Sequence, residues 1–572
     1  MKATIAIAGG GPAALFLYKR FVESNLSGIS ISIFEKNARI GAGMPYSPDG
    51  ACAEHITNVS GNEIPTIVTS MRQWIAEASP ELLAKYKITP ENFNDYKVVP
   101  RLLFGEYLAA QFELLKKKAV ANGIDTKLYL NTTVQDAKDD PIERKVILTT
   151  DAKEVYAFDA LIICTGHRWP KIHEGKVPGW FDSPYPPAKL KGKYNFPIAI
   201  TGASLTAIDA VRTIARENGT FTQNKDHTLT YQLHDGSKEM KILLHSIDGL
   251  LPAIRFHLQD THLSTGPAPL TQEEIHALLE KHNGFVPLDF LFERNFMQPL
   301  KERNPDFYEQ VKDMNLEIFT AHVMSFRKNM DAFQLFQGEY AEAEKSIKRH
   351  ESVYWKEILA ELSYAMNYPA KHLSAEDMLR LKKVIMPLIS IIIAFVPQSS
   401  ARELMALYAA GVLDVVAVDP ASKTEPQDEG AMYIFKDAQG KEQRVSYKVM
   451  INAIGQPPFM YREFIFPTLV ENGTVSAASL RFASVEAAQQ ELEKGNDLVF
   501  HSSPGEYYLK VPGININDHF QVLDLYGIPN DRIYIMAVPY IAGLNPDYSG
   551  LDFCENASQR IVNKLLETDL ES

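Results

Sequence analysis

Cysteine is scarce in this chain of 572 residues. Only Cys52, Cys164 and Cys554 are present, they lie far apart in the sequence, and no CxxC pair occurs. Such spacing supports neither a disulfide framework nor a zinc site. The histidines of the central segment are also scattered without metal-ligand spacing. We therefore predict that the protein binds no metal.

Long apolar runs and an excess of basic charge are missing as well. The longest run, residues 385–397, is interrupted by Pro387 and is shorter than the roughly 20 residues that span a bilayer. Residues 1–11 carry one lysine and a short apolar run that glycines end at once, which favours a first strand over a signal peptide. With 71 acidic and 58 basic residues, the net charge of −13 argues against broad binding to nucleic acids or membranes. We expect a cytoplasmic protein that acts on a small molecule, with homodimerisation left open.

The N-terminal stretch predicts a dinucleotide-binding unit. Residues 4–8 form a buried strand, residues 9–14 read GGGPAA and fit G-x-G-x-x-[GA], an apolar helix follows, and residues 29–34 alternate as a second strand. This second strand ends in an acid. Such a unit places a helix N-terminus against a pyrophosphate and the acid against a ribose hydroxyl. The predicted members of this site are Gly9, Gly11, Pro12, Ala13, Ala14, Glu35 and Lys36.

A second, degenerate copy of the unit follows later in the chain. A short strand precedes residues 202–207, GASLTA, which open an amphipathic helix. Ser204 replaces the middle glycine, and its side chain would crowd a pyrophosphate. Two further apolar strands, residues 161–166 and 449–455, each end in a glycine that lets backbone pass close to a bound dinucleotide. These segments add Thr165, Gly166, Gly202, Ser204, Leu205, Thr206 and Gly455 to the predicted cofactor-binding residues.

The middle and the end of the chain are helical by pattern. From about residue 271 to 386, apolar positions recur between many charges, as in residues 344–366, and this predicts an inserted helical cap. The chain closes with a strand over residues 532–539 and a helix that begins after Ser549, which forms a capping-box pattern with Asp552. The N-terminus of this last helix could direct its positive end at a ligand.

Several segments resemble one family of flavoproteins. The family includes the flavin-dependent urate hydroxylase and an aspartate N-monooxygenase. The resemblance covers roughly residues 1–255 and 445–572, and the helical cap carries no recognised motif. The segments that carry it are residues 41–47 (GAGMPYS), 55–59 (HITNV), 71–74 (MRQW), 100–108 (PRLLFGEYL) and 165–170 (TGHRWP).

The resemblance implies an α/β fold with two Rossmann-like dinucleotide-binding domains, a discontinuous FAD domain and an inserted helical cap. It also implies FAD and a nicotinamide dinucleotide as cofactors. The predicted bounds are 1–195 and 445–572 for the FAD-binding domain, 196–270 and 390–444 for an NAD(P)-binding-like domain, and 271–389 for the cap. The resemblance adds Tyr46, Val134, Gly550 and Leu551 to the FAD site.

Four residues lie in segments that the resemblance places near the flavin. They are the candidate catalytic residues Asn58, Arg101, His167 and Trp169. Each also has a structural interpretation: Asn58 caps a turn, Arg101 pairs with Glu106, His167 holds a loop, and Trp169 packs. No residue can be named as the general base from the sequence.

Three functions compete at this point. The first is an NAD(P)H-dependent flavin monooxygenase that hydroxylates a small molecule through a flavin C4a-(hydro)peroxide, with the cap excluding water. The second is a flavoprotein reductase or oxidase that inserts no oxygen. The third is a non-catalytic flavin-binding protein, for which the degenerate second unit is the argument.

Asp248 suggests a preference for NADH over NADPH. In a dinucleotide unit, an acid after the second strand accepts from the ribose 2′-hydroxyl, whereas an arginine pairs with a 2′-phosphate. Here the acid is Asp248, and Ile247 stands where relatives often carry an arginine. Arg255, a few residues further, is the group that could instead bind the phosphate.

Overall fold

Two parallel sheets, both of them predicted, organise the chain. The computed structural model describes residues 3–24, 28–258, 270–437, 439–503, 505–546 and 550–570, and the predicted helix cap Ser549 lies outside them. Strands and helices are numbered in chain order. The first sheet contains β1 (Thr4–Ala8), β2 (Ser30–Glu35), β5 (Asp125–Leu130), β9 (Ala160–Ile163), β23 (Gln521–Leu523) and β24 (Pro529–Ile535).

The first sheet joins both ends of the chain. Its order is β23-β24-β9-β1-β2-β5, and every pairing except that of the edge strand β23 is parallel. Continuous burial of β1 and β9 explains their apolar sequences, because parallel strands are covered on both faces. Since β24 lies beside β9, this sheet takes its strands from both ends of the chain, as a discontinuous first domain requires.

The second sheet is entirely parallel. It contains β10 (Trp180–Phe181), β11 (Pro197–Thr201), β14 (Lys241–Ile247), β15 (Leu413–Val418) and β19 (Val449–Asn452), in the order β10-β19-β11-β14-β15. The predicted bounds at residues 195 and 445 are therefore wrong. Both β10 and β19 belong to this sheet, because β19 pairs with β11 and with β10.

Small antiparallel sheets, most of them not predicted from the sequence, surround these two. They are β3 (Ile56–Ser60) with β4 (Val98–Pro100); β6 (Val134–Asp140), β7 (Lys145–Thr150) and β8 (Val155–Phe158); β12 (Gly219–Gln223) with β13 (Leu229–Leu233); β16 (Lys423–Pro426), β17 (Ala431–Lys436) and β18 (Glu442–Tyr447); and β20 (Ala477–Arg481), β21 (Val499–Ser503) and β22 (Glu506–Ile514). Strands β17 and β18 pair antiparallel as a hairpin.

Helices cover the two main sheets and form the insert. Outside the insert they are α1 (Pro12–Glu23), α2 (Met71–Glu77), α3 (Pro80–Lys85), α4 (Arg101–Ala121), α5 (Leu205–Asn218), α15 (Gln398–Ala409), α16 (Pro467–Glu471), α17 (Val485–Glu493) and α18 (Gly550–Leu570). Inside the insert they are α6 (Gln272–Lys281), α7 (Leu288–Phe292), α8 (Gln298–Arg303), α9 (Pro305–Val311), α10 (Leu316–Lys328), α11 (Ala332–Arg349), α12 (Tyr354–Asn367), α13 (Ala375–Arg380) and α14 (Met386–Ile392).

One predicted helix of the insert is in fact two. The pattern over residues 344–366 spans the end of α11 and most of α12. His350 takes a left-handed conformation, with φ of 54°, and ends α11. Among the described residues, no helix is both long and apolar enough to cross a membrane.

The insert rests on both domains. Its two connections to the second domain run side by side, since the Arg255 amide donates to the Val396 carbonyl at 2.8 Å. The insert shares one continuous apolar core with the first domain. It also packs on the second domain, where Phe333 stacks on Tyr408 with ring centroids 3.8 Å apart. The insert is therefore a bridge that contacts both dinucleotide-type domains.

A buried carboxylate links three helices of the insert. Glu339 on α11 binds Arg327 on α10 at 2.7 Å and Lys356 on α12 at 3.0 Å, and all three side chains are buried. Burial raises the pKa of Glu339, but Lys356 and Arg327 outweigh it and hold the pKa below its usual value. The stabilisation is thus present above the normal carboxyl pKa and is lost as the pH falls.

We predict that Glu339→Gln lowers the apparent free energy of unfolding by about 3–5 kcal/mol, because it leaves the buried Arg327 without a carboxylate partner and Lys356 with only the half-exposed Glu342. Glu342→Gln is the matched control, since Glu342 is half exposed and contacts Lys356 alone; it should cost less than about 1 kcal/mol. Urea unfolding followed by circular dichroism measures both. Equal losses in the two variants would contradict the assignment.

Candidate cofactor and active site

The glycine turn after β1 leaves no room for a side chain at Gly9. Gly9 has φ of +109°, and a Cβ there would lie 2.4 Å from the Cys164 carbonyl oxygen at the end of β9. Gly11 begins α1 as its N-cap, and the nearest atom to a Cβ on it is the Cα of Gly43 at 3.4 Å. Bare backbone thus surrounds the N-terminus of α1. That arrangement fits a bound pyrophosphate.

Glu35 is held in place at the end of β2. Its Oε2 accepts from the Gly10 amide at 2.8 Å, and its Oε1 accepts from the Asn37 amide at 2.8 Å. The residue is buried. Each carboxylate oxygen keeps a further lone pair, so the fixed carboxylate can still accept from a ribose hydroxyl. The geometry fits the predicted role of Glu35.

The other predicted FAD residues stand at the ends of elements in the first domain. They are Pro12, Ala13 and Ala14 in the first turn of α1, Lys36 after β2, Tyr46 in the following loop, Val134 at the start of β6, Thr165 and Gly166 after β9, and Gly550 and Leu551 at the start of α18. The Oγ1 atom of Thr165 is buried and has no hydrogen-bond partner among the described residues. A polar ligand at this turn would satisfy it.

Gln456 connects the two segments in which the chain passes from one main sheet to the other. One segment follows β9 and contains His167 and Arg168, and the other follows β19 and contains Gln456 itself. Its Oε1 lies 2.7 Å from Nδ1 of His167 and accepts from the Arg168 amide at 3.0 Å. The loop-holding interpretation of His167 therefore has direct support. Trp169 packs between His167 and Tyr185, with ring centroids 5.5 and 5.3 Å away. Gln456 follows the predicted Gly455, and no sequence pattern pointed to it.

Arg101 joins the two domains. The predicted pair with Glu106 is wrong, because Glu106 binds Arg39 at 2.7 Å. Instead, Arg101 binds Asp209 on α5 at 2.5 Å, and the Tyr185 hydroxyl donates to the same carboxylate at 3.1 Å. Arg101 and Asp209 are 108 positions apart, so spacing alone could not reveal them as partners.

Arg255 is committed to the first domain. Its guanidinium donates to the Asn58 carbonyl, to Ser60 Oγ at 2.9 Å, and to Glu63. The side chains of Arg255 and Glu63 are both buried. Arg255 therefore cannot serve as the phosphate-binding alternative considered for the second unit. Asn58 contributes its backbone oxygen to this cluster.

Asp552, in the first turn of α18, is the titratable group that sequence reasoning missed. Burial, together with the nearby Glu63 and Glu555, raises the pKa of Asp552 to about 7. The insert covers this end of α18, because Tyr364 of α12 bonds to Asn556. The sequence offered only the capping-box pattern as a signal.

The second unit has the same turn as the first but not the same acid. The Gly202 amide donates to the His245 carbonyl at 2.8 Å, just as Gly9 donates to Phe34 at 2.9 Å. Glu35 follows Phe34, so its counterpart in the second unit is Ser246. The Oγ of Ser246 donates to the Leu250 carbonyl at 2.7 Å. No carboxylate therefore stands at the ribose position of the second unit.

The assignment of Asp248 to that position is thus wrong by two residues. Asp248 lies in the turn beyond β14, with φ of 57°, and its carboxylate binds Lys328 of the insert at 2.6 Å. Ser204 is the N-cap of α5 with an exposed side chain that makes no cap bond, and Leu205 and Thr206 begin the helix. Among the described residues, no group of three or more His, Cys, Asp and Glu side chains could hold a metal ion.

We predict that Glu35→Ala weakens FAD binding about 10- to 100-fold, because hydrogen bonds to a carboxylate contribute about 1.5–3 kcal/mol. Fluorescence titration of the flavin-free protein with FAD measures the effect. Asp49→Ala is the matched control, since Asp49 is an exposed carboxylate in the same region. An unchanged affinity in Glu35→Ala would contradict the role of Glu35.

Two protein-family models match separate segments of this chain. Residues 6–168 match a family model described as FAD-NAD(P)-binding, and residues 271–393 match one described as YdhS-like middle domain. The uncharacterized protein YdhS of Escherichia coli (strain K12) is 26% identical over 475 residues, which cover 82% of this chain and 86% of YdhS.

Solved structures of similar shape include two N-hydroxylating enzymes. The L-lysine 6-monooxygenase from Pseudomonas syringae has a TM-score of 0.48 at 12% identity, covering 99% of both chains. The ornithine N-hydroxylase from Kutzneria sp. 744 has a TM-score of 0.45 at 12% identity, covering 100% of both chains. The chain is thus similar to FAD-NAD(P)-binding proteins over the first part of its first domain, and its helical insert is similar to the YdhS-like middle domain.

Proposed function

We propose that this protein is an FAD-dependent oxidoreductase, and more closely an NAD(P)H-dependent monooxygenase that hydroxylates a small molecule. The carrying observation is the half-buried acid Asp552 at the start of α18, one turn before the contact between Asn556 and Tyr364 of the insert. Gly9, Gly11 and Glu35 would hold the FAD. Bound FAD would supply hydride acceptance from a nicotinamide and the activation of oxygen.

The insert supports a reaction that must exclude water. Its helix α12 reaches the start of α18 through Tyr364, and the carbonyl of Asn367 accepts a hydrogen bond from Asn545 just before α18. Asn545 is completely buried. A site shielded from water in this way would protect the reactive intermediates of an oxygenation from side reactions. An open reductase site would not need this cover.

The cysteines disfavour a reductase that works through protein thiols. Cys164 and Cys554 are buried, and Cys52 is partly buried. Burial raises the pKa of Cys554 to about 12 and also raises those of Cys164 and Cys52. A reactive thiolate needs the opposite shift. A flavin oxidase or reductase without thiols is the alternative function.

Asp552 is the group that we assign to proton transfer. A carboxyl group with a pKa of about 7 is both an acid and a base at neutral pH. It faces Glu63 of the first domain, Glu555 of its own helix and Tyr364 of the insert. Glu63 and Glu555 are paired with cations, Arg255 and Lys19 respectively. Asp552 has no such cation among the described residues.

The function is tested by anaerobic reduction of the flavin with NADH or NADPH, followed by oxygen uptake with a panel of small amines, acids and aromatic compounds. A monooxygenase substrate should stimulate NAD(P)H oxidation while peroxide release stays well below oxygen consumption. Peroxide equal to the oxygen consumed with every compound would make the protein an oxidase. A flavin that neither nicotinamide reduces would leave a non-catalytic flavin-binding protein.

We predict opposite stability effects for two neighbouring carboxyl variants. Because the pKa of Asp552 is raised in the folded state, ionisation destabilises the fold as the pH rises from about 4, the unfolded value, to 7. Asp552→Asn should therefore raise the melting temperature by a few degrees at pH 8 and not at pH 4. Its turnover should fall about 100-fold or more.

Glu555→Gln is the matched contrast. It removes the partner of the buried Lys19, at 3.0 Å, and should lower the melting temperature at pH 8. Differential scanning fluorimetry across pH 4–8 measures both variants. A melting temperature of Asp552→Asn below that of the parent protein at pH 8 would contradict the raised pKa assigned to Asp552.

A further inference from the structure

The second unit lacks both side chains that usually recognise the adenosine ribose, an acid for the 2′-hydroxyl and an arginine for a 2′-phosphate. Ser246 stands where the first unit has Glu35, so no carboxylate is present to accept from a 2′-hydroxyl. Ile247 follows, and its side chain is exposed, 54% accessible. A hydrophobic side chain at this place offers no charge to a 2′-phosphate. Any selectivity must come from a neighbouring element.

The helical insert brings a cation to this strand end. The Nζ of Lys328, the last residue of α10, lies 2.6 Å from Oδ2 of Asp248. The two side chains remain 43% and 38% exposed. Exposed pairs of this kind contribute little free energy, so the contact can open at low cost. Lys328 is therefore both present and available.

The position of Lys328 is fixed by its neighbour. Arg327 is buried and donates to the Leu251 carbonyl at 3.2 Å and to Glu339 at 2.7 Å. These bonds hold the last turn of α10 against the turn that follows β14. The turn itself is fixed, because the Asp248 amide donates to the Val418 carbonyl at 3.2 Å. The contact between Lys328 and Asp248 thus joins two well-defined backbones.

We propose that Lys328, carried by the helical insert, recognises the 2′-phosphate of NADPH, and that Asp248 holds this lysine in the free protein. The proposal rests on the proposed use of a nicotinamide dinucleotide. A phosphate monoester carries roughly two negative charges and outcompetes one carboxylate for the ammonium group. Asp248 then turns towards solvent. The protein accordingly prefers NADPH, the reverse of what Asp248 alone suggested.

Binding of oxidised dinucleotides to the FAD-loaded protein tests this without turnover. Isothermal titration calorimetry with NADP⁺, NAD⁺, adenosine 2′,5′-bisphosphate and ADP gives the selectivity for the 2′-phosphate. The parent protein should bind NADP⁺ more tightly than NAD⁺. Lys328→Met should weaken NADP⁺ and the bisphosphate about tenfold or more, with NAD⁺ and ADP unchanged. Asp248→Asn should strengthen the two 2′-phosphate compounds.

Lys312→Met is the matched control, because Lys312 is an exposed lysine of the same insert that pairs with Glu309; it should leave every affinity unchanged. Equal weakening of all four ligands by Lys328→Met, or no change at all, overturns the role of Lys328 while nicotinamide use stands. Tighter binding of NAD⁺ than NADP⁺ by the parent protein also overturns it. Absence of binding for all four ligands overturns the nicotinamide part of the proposed function as well.

Discussion

The arrangement of the first domain, the second domain and the helical insert depends on the buried ion pair between Arg255 and Glu63. The Arg255 side chain binds the first domain through Asn58, Ser60 and Glu63, while its backbone amide donates to Val396 on the second connection of the insert. One residue therefore joins the FAD-type domain to both connections of the insert. Breaking a buried pair by removing one partner costs about 3–5 kcal/mol, because the other charge stays uncompensated. Burial raises the pKa of Asp552 and the nearby Glu63 adds to this, so the same pair contributes to the electrostatics of the candidate site.

The two main sheets have the same strand order around their first strand. They differ in the side chains that they place at the switch point, where the strand order reverses direction. In each, the first strand lies between the second and the fourth strand of its unit, and a left-handed glycine, Gly9 or Gly202, turns the chain at that point. Ligands of open α/β sheets bind at such a point, outside the carboxyl ends of the strands. The first sheet adds a buried carboxylate, Glu35, and the second adds a buried hydroxyl, Ser246. The shared backbone therefore serves two different recognition chemistries, and the second takes its charge from outside its own sheet.

Local sequence patterns predicted the elements that local physics determines. The strand from Thr4 to Ala8, the glycine turn and Glu35 could be read because buried parallel strands are continuously apolar and the turn tolerates no side chain. Contacts between distant segments could not be read in this way. Arg101 pairs with Asp209 rather than with Glu106, which is nearby in the sequence. Asp248 lies two residues beyond Ser246, the actual counterpart of Glu35. The sequence pattern identifies β14 as a strand. Only the pairing of β14 with β11 shows which of its residues lies beside the turn at Gly202.

The insert gives the two sites a common framework. Glu339 joins Arg327, next to Lys328 on the dinucleotide side, to Lys356 at the start of α12. The far end of α12 carries Tyr364, which reaches α18 beside Asp552. Since these charges are buried and mutually paired, α10 and α12 are held as one unit rather than as independent helices. The helix that contacts α18 near the acid and the helix that carries the lysine therefore belong to one ion-paired framework that reaches both candidate sites.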